Sequence, residues 1–337
     1  MKLVSTTLTN NRADVIGAAL AAIAPHVDEC IVIDTGVTDT TMQIACAVVG
    51  PQKFRPVNFK WCDDFAAARN FAAQQAILAG ADWQIQADTD ETLHLPGLRD
   101  FLSRCGDLDI VMVPHATRSF GHPRCVNLRV GAPPMKWVEP VHECLTGYER
   151  IAKAPPEWHF ACIKRPNENL TAKYKGYARI LEKRTREQPR NARAWYYLGD
   201  TYSILKLNES ALAAWDRRLR LQKECPSTSV MFEAGWAAWR AANLRLELGK
   251  PDEALKTCAR GLLAYPHMTE LAWLSGWISY QSGNVEQALY WANRALDLGP
   301  QERRGSFGYP PAQRQLPSDL KRWCEHQIAS RQLATPG

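Results

Sequence analysis

The sequence has no apolar segment long enough to cross a lipid bilayer, since none reaches the roughly 18 residues that a spanning helix needs. It has no Cys-x-x-Cys pair and no Cys/His cluster at zinc-site spacing, although it contains 10 cysteines. The stretch from Met1 to Asp14 turns polar too early to form the apolar part of a signal peptide. We therefore expect reduced thiols, no cleaved signal and a cytoplasmic location.

What the chain does have is the composition of an ordinary globular protein. Its 337 residues are 46% hydrophobic and 23% charged, which excludes a disordered tail or a coiled coil. At about 100–200 residues per domain, this length predicts two domains.

The positive net charge of +6 belongs to the second half of the chain. Residues 167–337 contain 25 Lys and Arg against 17 Asp and Glu, whereas residues 1–166 contain 16 against 18. The densest basic stretch, from Lys164 to Arg193, has 10 basic residues and three glutamates. It is typical of a solvated helix face, and the alternative is a contact surface for a polyanion or an anionic lipid.

The first half alternates β-rich runs with helical stretches. We predict strands at Leu3–Leu8, Cys30–Asp34, Phe54–Phe59 and Trp83–Ala87, and helices at Asp14–Ala24, Thr38–Val48 and Phe65–Leu78. This alternation predicts a mostly parallel sheet with helices on both faces. Ligands of such sheets bind beyond the carboxyl ends of the strands, where Asp34 and Asp88 lie.

The second half loses its strands and shows a repeat of 34 residues. Pairs at this spacing include Gly249 and Gly283, Ala254 and Ala288, Leu255 and Leu289, Leu262 and Leu296, and Pro266 and Pro300. The period and the small residues resemble the tetratricopeptide repeat, and an earlier copy begins at Trp195. We predict three repeats, and most tryptophans in this region are expected to be core residues.

The domain prediction follows from these patterns. It comprises an α/β domain at residues 1–163, a basic linker helix at 164–190, three repeats at 191–302, and a linker with a capping helix at 303–337. A terminal helix is needed because the last repeat of such an array exposes an apolar flank.

Three polar motifs follow one another in the first half. They are Asp34-Thr35-Gly36-Val37-Thr38-Asp39 after the second strand, Arg69-Asn70 on the third helix, and Asp88-Thr89-Asp90-Glu91 after the fourth strand. Taken singly, each is also explained by a turn, a capped helix or a solvated loop.

Taken together and in this order, the motifs resemble the nucleotide-sugar-binding domain of family-two glycosyltransferases, which have the GT-A fold. The resemblance covers roughly residues 3–163. The repeats add to it, because a bacterial branch that includes S-linked peptide glycosyltransferases and relatives of lipopolysaccharide-core glucosyltransferases has tetratricopeptide repeats behind the transferase. The resemblance implies a metal-dependent glycosyltransferase (a hexosyltransferase), using a nucleoside-diphosphate sugar, with UDP the expected nucleotide and inversion the expected stereochemistry.

The resemblance also implies roles for individual residues. Donor-binding roles fall on Thr9, Asn11, Asp34, Gly36, Asp39, Arg69, Asp88 and Thr89. Asp90 is expected to bind Mn²⁺ or Mg²⁺, which would neutralise the diphosphate leaving group. His159, with His142 as the alternative, is expected to complete the metal site.

An inverting transferase needs a base within hydrogen-bond reach of the acceptor. Glu143 is the candidate, with Glu139 behind it. The alternative interpretation of His142 and His159 is that each is a polar loop residue with satisfied hydrogen bonds.

The repeats are expected to hold a macromolecular acceptor, because helical arrays present extended surfaces. A peptide or protein is the first expectation, and a nucleic acid or an anionic lipid-linked saccharide stays open. The alternative function is a non-catalytic tetratricopeptide scaffold with a degenerate transferase domain.

Overall fold

The computed structural model describes residues 1–117, 120–129, 134–165, 168–221, 228–300 and 309–334. The chain divides into two compact units, Met1–Asn169 and Leu170–Gly337. The first mixes strands and helices and the second is helical, which is the predicted α/β then all-α layout. Residues 303–308 of the predicted linker lie outside the described part.

The first unit contains a sheet, two small strand pairs and four helices within its described residues. Its strands are β1 (Leu3–Thr9), β2 (Glu29–Asp34), β3 (Phe54–Asn58), β4 (Trp83–Gln86), β5 (Glu91–His94), β6 (Ile110–Pro114), β7 (Gly121–Asn127), β8 (Lys136–Val138), β9 (Cys144–Thr146), β10 (Ile151–Lys153) and β11 (His159–Cys162). Its helices are α1 (Ile16–Ile23), α2 (Thr41–Val49), α3 (Phe65–Leu78) and α4 (Leu98–Ser103).

The main sheet is mixed, with the strand order β10-β6-β7-β4-β1-β2-β3. Strands β1 to β4 pair in parallel, whereas β7 is antiparallel to both β4 and β6. A separate antiparallel pair joins β5 to β11, and another joins β8 to β9. The prediction of a mostly parallel sheet is confirmed for the part that the first four strands form.

Helices cover both faces of this sheet. On one face, Ile16 and Leu20 of α1 pack with Leu3 and Trp83 of the sheet. On the other face, Ala72 and Ala76 of α3 pack against Val4, Ile31 and Ile33. Burying these apolar side chains stabilises the unit by about 25 cal/mol per Å² of apolar surface removed from water.

The second unit is built from successive helices. They are α5 (Leu170–Glu187), α6 (Ala192–Ile204), α7 (Asn208–Leu221), α8 (Thr228–Glu247), α9 (Pro251–Ala264), α10 (Thr269–Gln281), α11 (Val285–Leu298), α12 (Pro310–Gln313) and α13 (Gln315–Ala334). Helices α6 to α11 form three consecutive hairpins. The predicted terminal helix, Ser318–Arg331, is the central part of α13.

Small residues allow these helices to approach closely. Gly199 of α6 lies against the indole of Trp215 in α7, and Gly261 of α9 lies against Ala238 of α8. The last helix closes the array, because Leu320 and Cys324 of α13 pack on Val285, Ala288 and Ala292 of α11. In the parts of both units that the structure describes, no helix is long and apolar enough to cross a membrane.

Candidate active site

A cleft of about 270 Å³ opens where β1, β2 and β4 end. Because these strands are parallel neighbours, their carboxyl ends meet at one edge of the sheet. The residues that line the cleft include Thr9 at the end of β1, Arg12 in the loop after it, Gly36 after β2, Trp61 before α3, Phe65 at the start of α3, and Thr89 after β4. Three of the predicted donor-binding residues, Thr9, Gly36 and Thr89, are therefore brought together.

The turn after β2 is fixed by side chains. One carboxylate oxygen of Asp34 accepts hydrogen bonds from the backbone N–H of Gly36 (2.8 Å) and of Val37 (2.7 Å). The amide of Asn11 bridges to Thr38, donating to its hydroxyl (2.9 Å) and accepting from its backbone N–H (2.8 Å). Gly36 has a φ of 120°, in the region that favours glycine. Asp34 and Asn11 thus shape the turn beside the cleft.

Asp39 lies at the start of α2, where its carboxylate accepts hydrogen bonds from the hydroxyl (2.5 Å) and the backbone N–H (2.9 Å) of Thr41. These hydrogen bonds lower the pKa of Asp39. The carboxylate thus binds the first residue of α2, and Asp39 is not among the residues that line the cleft.

A network of charged side chains lies at the carboxyl end of β4. Arg69 donates to Glu143 (2.6 Å) and to Asp88 (3.0 Å), and its guanidinium lies 5.0 Å from the ring centre of Trp137. The other oxygen of Asp88 accepts from Arg124 (2.9 Å). Arg124 also pairs with Glu91. Two arginines and three acids therefore share one partly buried site.

Burial and charge have opposing effects on these groups. Burial acts to raise the pKa of Asp88, but Arg69 and Arg124 outweigh it and hold this pKa well below its usual value. Burial likewise opposes the charged form of Arg69, yet Asp88 and Glu143 raise its pKa. For Glu91, burial and the charge of Asp88 raise the pKa to about 7 despite Arg124. Asp88 and Arg69 are thus both fixed in their ionised forms.

The loop that contains the candidate bases is anchored to α3. Pro140 accepts a hydrogen bond from the backbone N–H of Phe65 (2.9 Å). Within the loop, Glu139 (φ 73°) and His142 (φ 55°) adopt the left-handed backbone region, which is unusual for residues with a side chain. Such conformations cluster at functional sites. Glu143 contacts Arg69, whereas His142 is exposed.

The residues predicted to bind a metal are not gathered into one cluster. The backbone N–H of Ile163 donates to the carbonyl of Asp90 (2.6 Å), so Asp90 is aligned with residue 163 of the neighbouring chain segment. His159 of β11 pairs with His94 of β5. At roughly 3.3 Å per residue, His159 lies about 13 Å along the chain from residue 163, which is aligned with Asp90. Among the described residues, no group of three or more His, Cys, Asp and Glu side chains could hold a metal.

A carboxylate can nevertheless bind Mg²⁺ or Mn²⁺ alone, because such ions keep waters and share substrate phosphate oxygens. Asp90 is half-buried, and its side chain has no hydrogen-bond or ion-pair partner in the described part of the chain. The site therefore fits a metal shared with a phosphate ligand, and it does not fit a cage made by the protein.

Several site residues were not found from the sequence. Glu91 belongs to the acidic motif and could have been assigned from it, whereas Arg124 has no local signal. Arg124 reaches the site because β7 inserts antiparallel beside β4, with Cys125 opposite Ile85. Trp61 and Arg12 join the cleft wall through loops whose course is set by tertiary packing.

Weak similarities to known proteins extend along much of the chain. A TPR repeat-containing protein of Synechococcus elongatus is 28% identical over 245 residues, which cover 67% of this chain and 58% of that relative. The chain thus spans less than two thirds of that relative's length.

Among solved structures, S. aureus TarS 1-349, crystallised in complex with UDP-GlcNAc, is 14% identical with a TM-score of 0.48, over 84% of this chain and 92% of the 1-349 chain. MamA is 13% identical with a TM-score of 0.34, over 48% of this chain and 92% of MamA. Both structural similarities are too weak to assign a function.

The helical unit has a clearer match. The family model of the tetratricopeptide repeat matches residues 177–228 and 231–303. These residues include the hairpins α6–α7, α8–α9 and α10–α11. The predicted resemblance to this repeat is confirmed for the matched residues, and the second unit contains tetratricopeptide repeats.

Proposed function

We propose that the chain is a glycosyltransferase of the GT-A type, which moves a sugar from a nucleoside-diphosphate sugar to an acceptor. The observation that supports this most directly is the cleft at the carboxyl ends of β1, β2 and β4. Three predicted donor-binding residues from three separate stretches of chain line it, and the Arg69–Asp88 pair lies at the end of the same β4 strand.

The cleft offers the groups that a nucleotide needs. Trp61 and Phe65 pack edge to face, with ring centres 4.8 Å apart, and provide an apolar wall for the base. Asp34 at the end of β2 and Asp88 after β4 are not among the residues that line the cleft, and the family resemblance assigns them as acceptors for base and ribose groups. Arg12 lines the cleft and supplies a positive charge for the diphosphate. UDP is the nucleotide we propose.

In this proposal Asp90 holds Mn²⁺ or Mg²⁺ together with oxygens of the donor diphosphate. A bound cation would offset the negative charge that develops on the departing nucleoside diphosphate. The metal roles predicted for His159 and His142 stay predictions, because no group of three or more possible ligands forms among the described residues.

We assign the role of base to Glu143, with Glu139 as the alternative in the same loop. Glu143 is held by Arg69, so it belongs to the network that also contains the donor residue Asp88. A base on the opposite side of the sugar from the leaving group gives inversion. The repeats would present a macromolecular acceptor, with a peptide or protein ahead of a nucleic acid or a lipid-linked saccharide, and the enzyme would act in the cytoplasm.

Release of nucleoside diphosphate from a panel of nucleotide sugars, with Mn²⁺ or Mg²⁺, tests this function. We expect turnover by the wild type and its loss in Asp90→Asn. Asp88 is unsuitable for this test because its removal would leave two arginines without their shared partner. Asp107→Asn changes an exposed acid and serves as the matched control.

A thermal-shift measurement with UDP and other nucleoside diphosphates separates the alternatives. A ligand that binds the folded state raises its melting temperature. If no nucleotide raises the melting temperature and no nucleotide sugar is hydrolysed, the transferase proposal is wrong and the scaffold alternative stands.

A further inference from the structure

A second cleft lies within the helical unit, between α5, α6 and α7. Its volume is about 540 Å³, within the range of roughly 300–1,000 Å³ that is usual for ligand sites. Three arginines line it, Arg186 at the end of α5 and Arg217 and Arg220 on α7. We refer to it as the arginine cleft.

Among the residues that the structure describes, the three arginines of the arginine cleft outnumber the acids that line it. In the described part of the chain, none of its three arginines forms an ion pair. Other arginines of the same unit do, since Arg245 and Arg260 both pair with Asp216. The arginines of the cleft differ from this pair, because no carboxylate of the described residues lies within ion-pair distance of them.

One acid lines the arginine cleft, and it already has a partner. Glu182 accepts a hydrogen bond from the hydroxyl of Tyr202 (2.9 Å). Burial, with the neighbouring Glu182, raises the pKa of Tyr202 to about 12, so this hydroxyl stays protonated and continues to donate. Three guanidinium groups thus face one engaged carboxylate, which leaves the cleft positively charged.

Apart from Thr185 and Ser210, the rest of the lining is apolar or aromatic. Leu198 and Ala214 are buried at the floor, and the indole of Trp195 stands at the wall. The indole is fixed in orientation because its N–H donates to the carbonyl of Pro189 (3.0 Å). The cleft therefore combines a preformed apolar surface with a cationic rim.

We propose that the arginine cleft binds an acidic peptide segment of a partner protein. Guanidinium groups bind carboxylates with paired, charge-assisted hydrogen bonds. An apolar side chain next to the acids would occupy the floor beside Trp195. A nucleic acid backbone would use the charge and leave the apolar floor empty, since such binding depends on a track of cations. The charge of the cleft and its lining together favour the peptide.

Fluorescence anisotropy with the full chain tests this site. The probe is a short fluorescein-labelled peptide of alternating leucine and glutamate, and the matched peptide has glutamine in place of glutamate. We expect the acidic peptide to bind, the glutamine peptide to bind at least tenfold more weakly, and added salt to weaken the binding.

The double variant Arg217→Gln/Arg220→Gln should weaken binding of the acidic peptide at least tenfold. Arg294→Gln removes an exposed charge from α11, outside the cleft, and should leave binding unchanged. Circular dichroism melting of each variant checks that the fold is retained. Arg186→Gln provides a second, independent variant on α5.

Equal binding of the two peptides, or equal binding by wild type and double variant, overturns the proposal. So does arginine-dependent binding of a single-stranded oligonucleotide without binding of the acidic peptide. The measurement concerns the helical unit and uses no nucleotide sugar, so its result is independent of the proposed transferase activity.

Discussion

Arg69 shows how one side chain can organise a site. It lies on α3, contacts Asp88 after β4 and Glu143 in the loop after β8, and packs over Trp137. Its neighbour Asn70 holds the same region from the next position, because its side-chain amide exchanges two hydrogen bonds with the backbone of Trp137, both 2.9 Å. In the Arg69-Asn70 motif, Arg69 thus forms the ion pairs of the site, and Asn70 positions the backbone of Trp137.

Replacing Asn70 with alanine should lower the free energy of unfolding by about 1–3 kcal/mol, because it leaves two backbone groups of Trp137 without their partners. Chemical denaturation measures this change. Gln74→Ala, at an exposed position of the same helix, is the control and should have little effect. Equal stability of Asn70→Ala and wild type would contradict this role.

A pH effect is expected at Asp200 in α6. Burial raises the pKa of Asp200 to about 6, although Arg240 lies 3.0 Å away and Trp215 donates to it. The folded protein therefore holds this proton more tightly than the unfolded chain. The contribution of Asp200 to stability is complete below about pH 4 and falls as the pH rises towards 6, by up to about 3 kcal/mol.

Urea denaturation of the helical unit between pH 4 and 7 measures this effect. Asp200→Asn should remove this part of the pH dependence, whereas Asp252→Asn, at an exposed position of α9, should retain it. Identical pH profiles for Asp200→Asn and wild type would exclude Asp200 as the source.

At the scale of helices and strands, the sequence predicts local structure well wherever hydrophobic residues keep the same regular spacing over a whole segment. The predicted α3, Phe65–Leu78, has the observed bounds, and the predicted strand at Leu3 ends one residue early. Strands β5 to β11 had no such signal, because they are short and pair with distant segments. Arg124 lies on β7, which is one of these strands, and its place in the site depends on the pairing of β7 with β4.

The helices of the repeats meet at small residues, and Gly261 gives a direct test. A methyl group there would meet Ala238 of α8 and come within 2.7 Å of Leu271 in α10. Gly261→Ala should therefore lower stability by about 1–3 kcal/mol through overpacking. Gly176→Ala in α5, where no neighbour lies within 4 Å, should raise stability by up to about 1 kcal/mol through helix propensity.

Thermal or urea denaturation compares the two alanine variants. Because both gain the same intrinsic helix propensity, their difference isolates the packing at the contact of α8, α9 and α10. A Gly261→Ala variant as stable as Gly176→Ala would show that the helices can separate at no cost.

At the scale of the whole molecule, each unit has a hydrophobic core of its own. Trp83 and Leu20 belong to the core of the first unit, and Trp215 and Leu271 belong to that of the second. The sequence indicated this division through its change from alternating strands and helices to a helical repeat. The site could be predicted only where short motifs follow strands, because the remaining residues are assembled by long-range pairing.

Two separate cores predict two separate unfolding transitions. Calorimetry of the full chain and of segments 1–169 and 170–337 tests this, and each segment should fold alone. Ile23→Ala should lower one transition and Leu320→Ala the other, since each removes a fully buried side chain. A single transition, lowered equally by both variants, would contradict the prediction.

The packing of α13 on α11 also limits how the molecule can be enlarged. Leu320 and Cys324 occupy the surface of α11 on which a following hairpin would have to stack. An engineered extension fused behind residue 334 would therefore find this surface of α11 already covered by α13. To lengthen the array, a further repeat of 34 residues should be inserted between α9 and α10. There the new hairpin would pack against a hairpin on each side, and the packing of α13 on α11 would be kept.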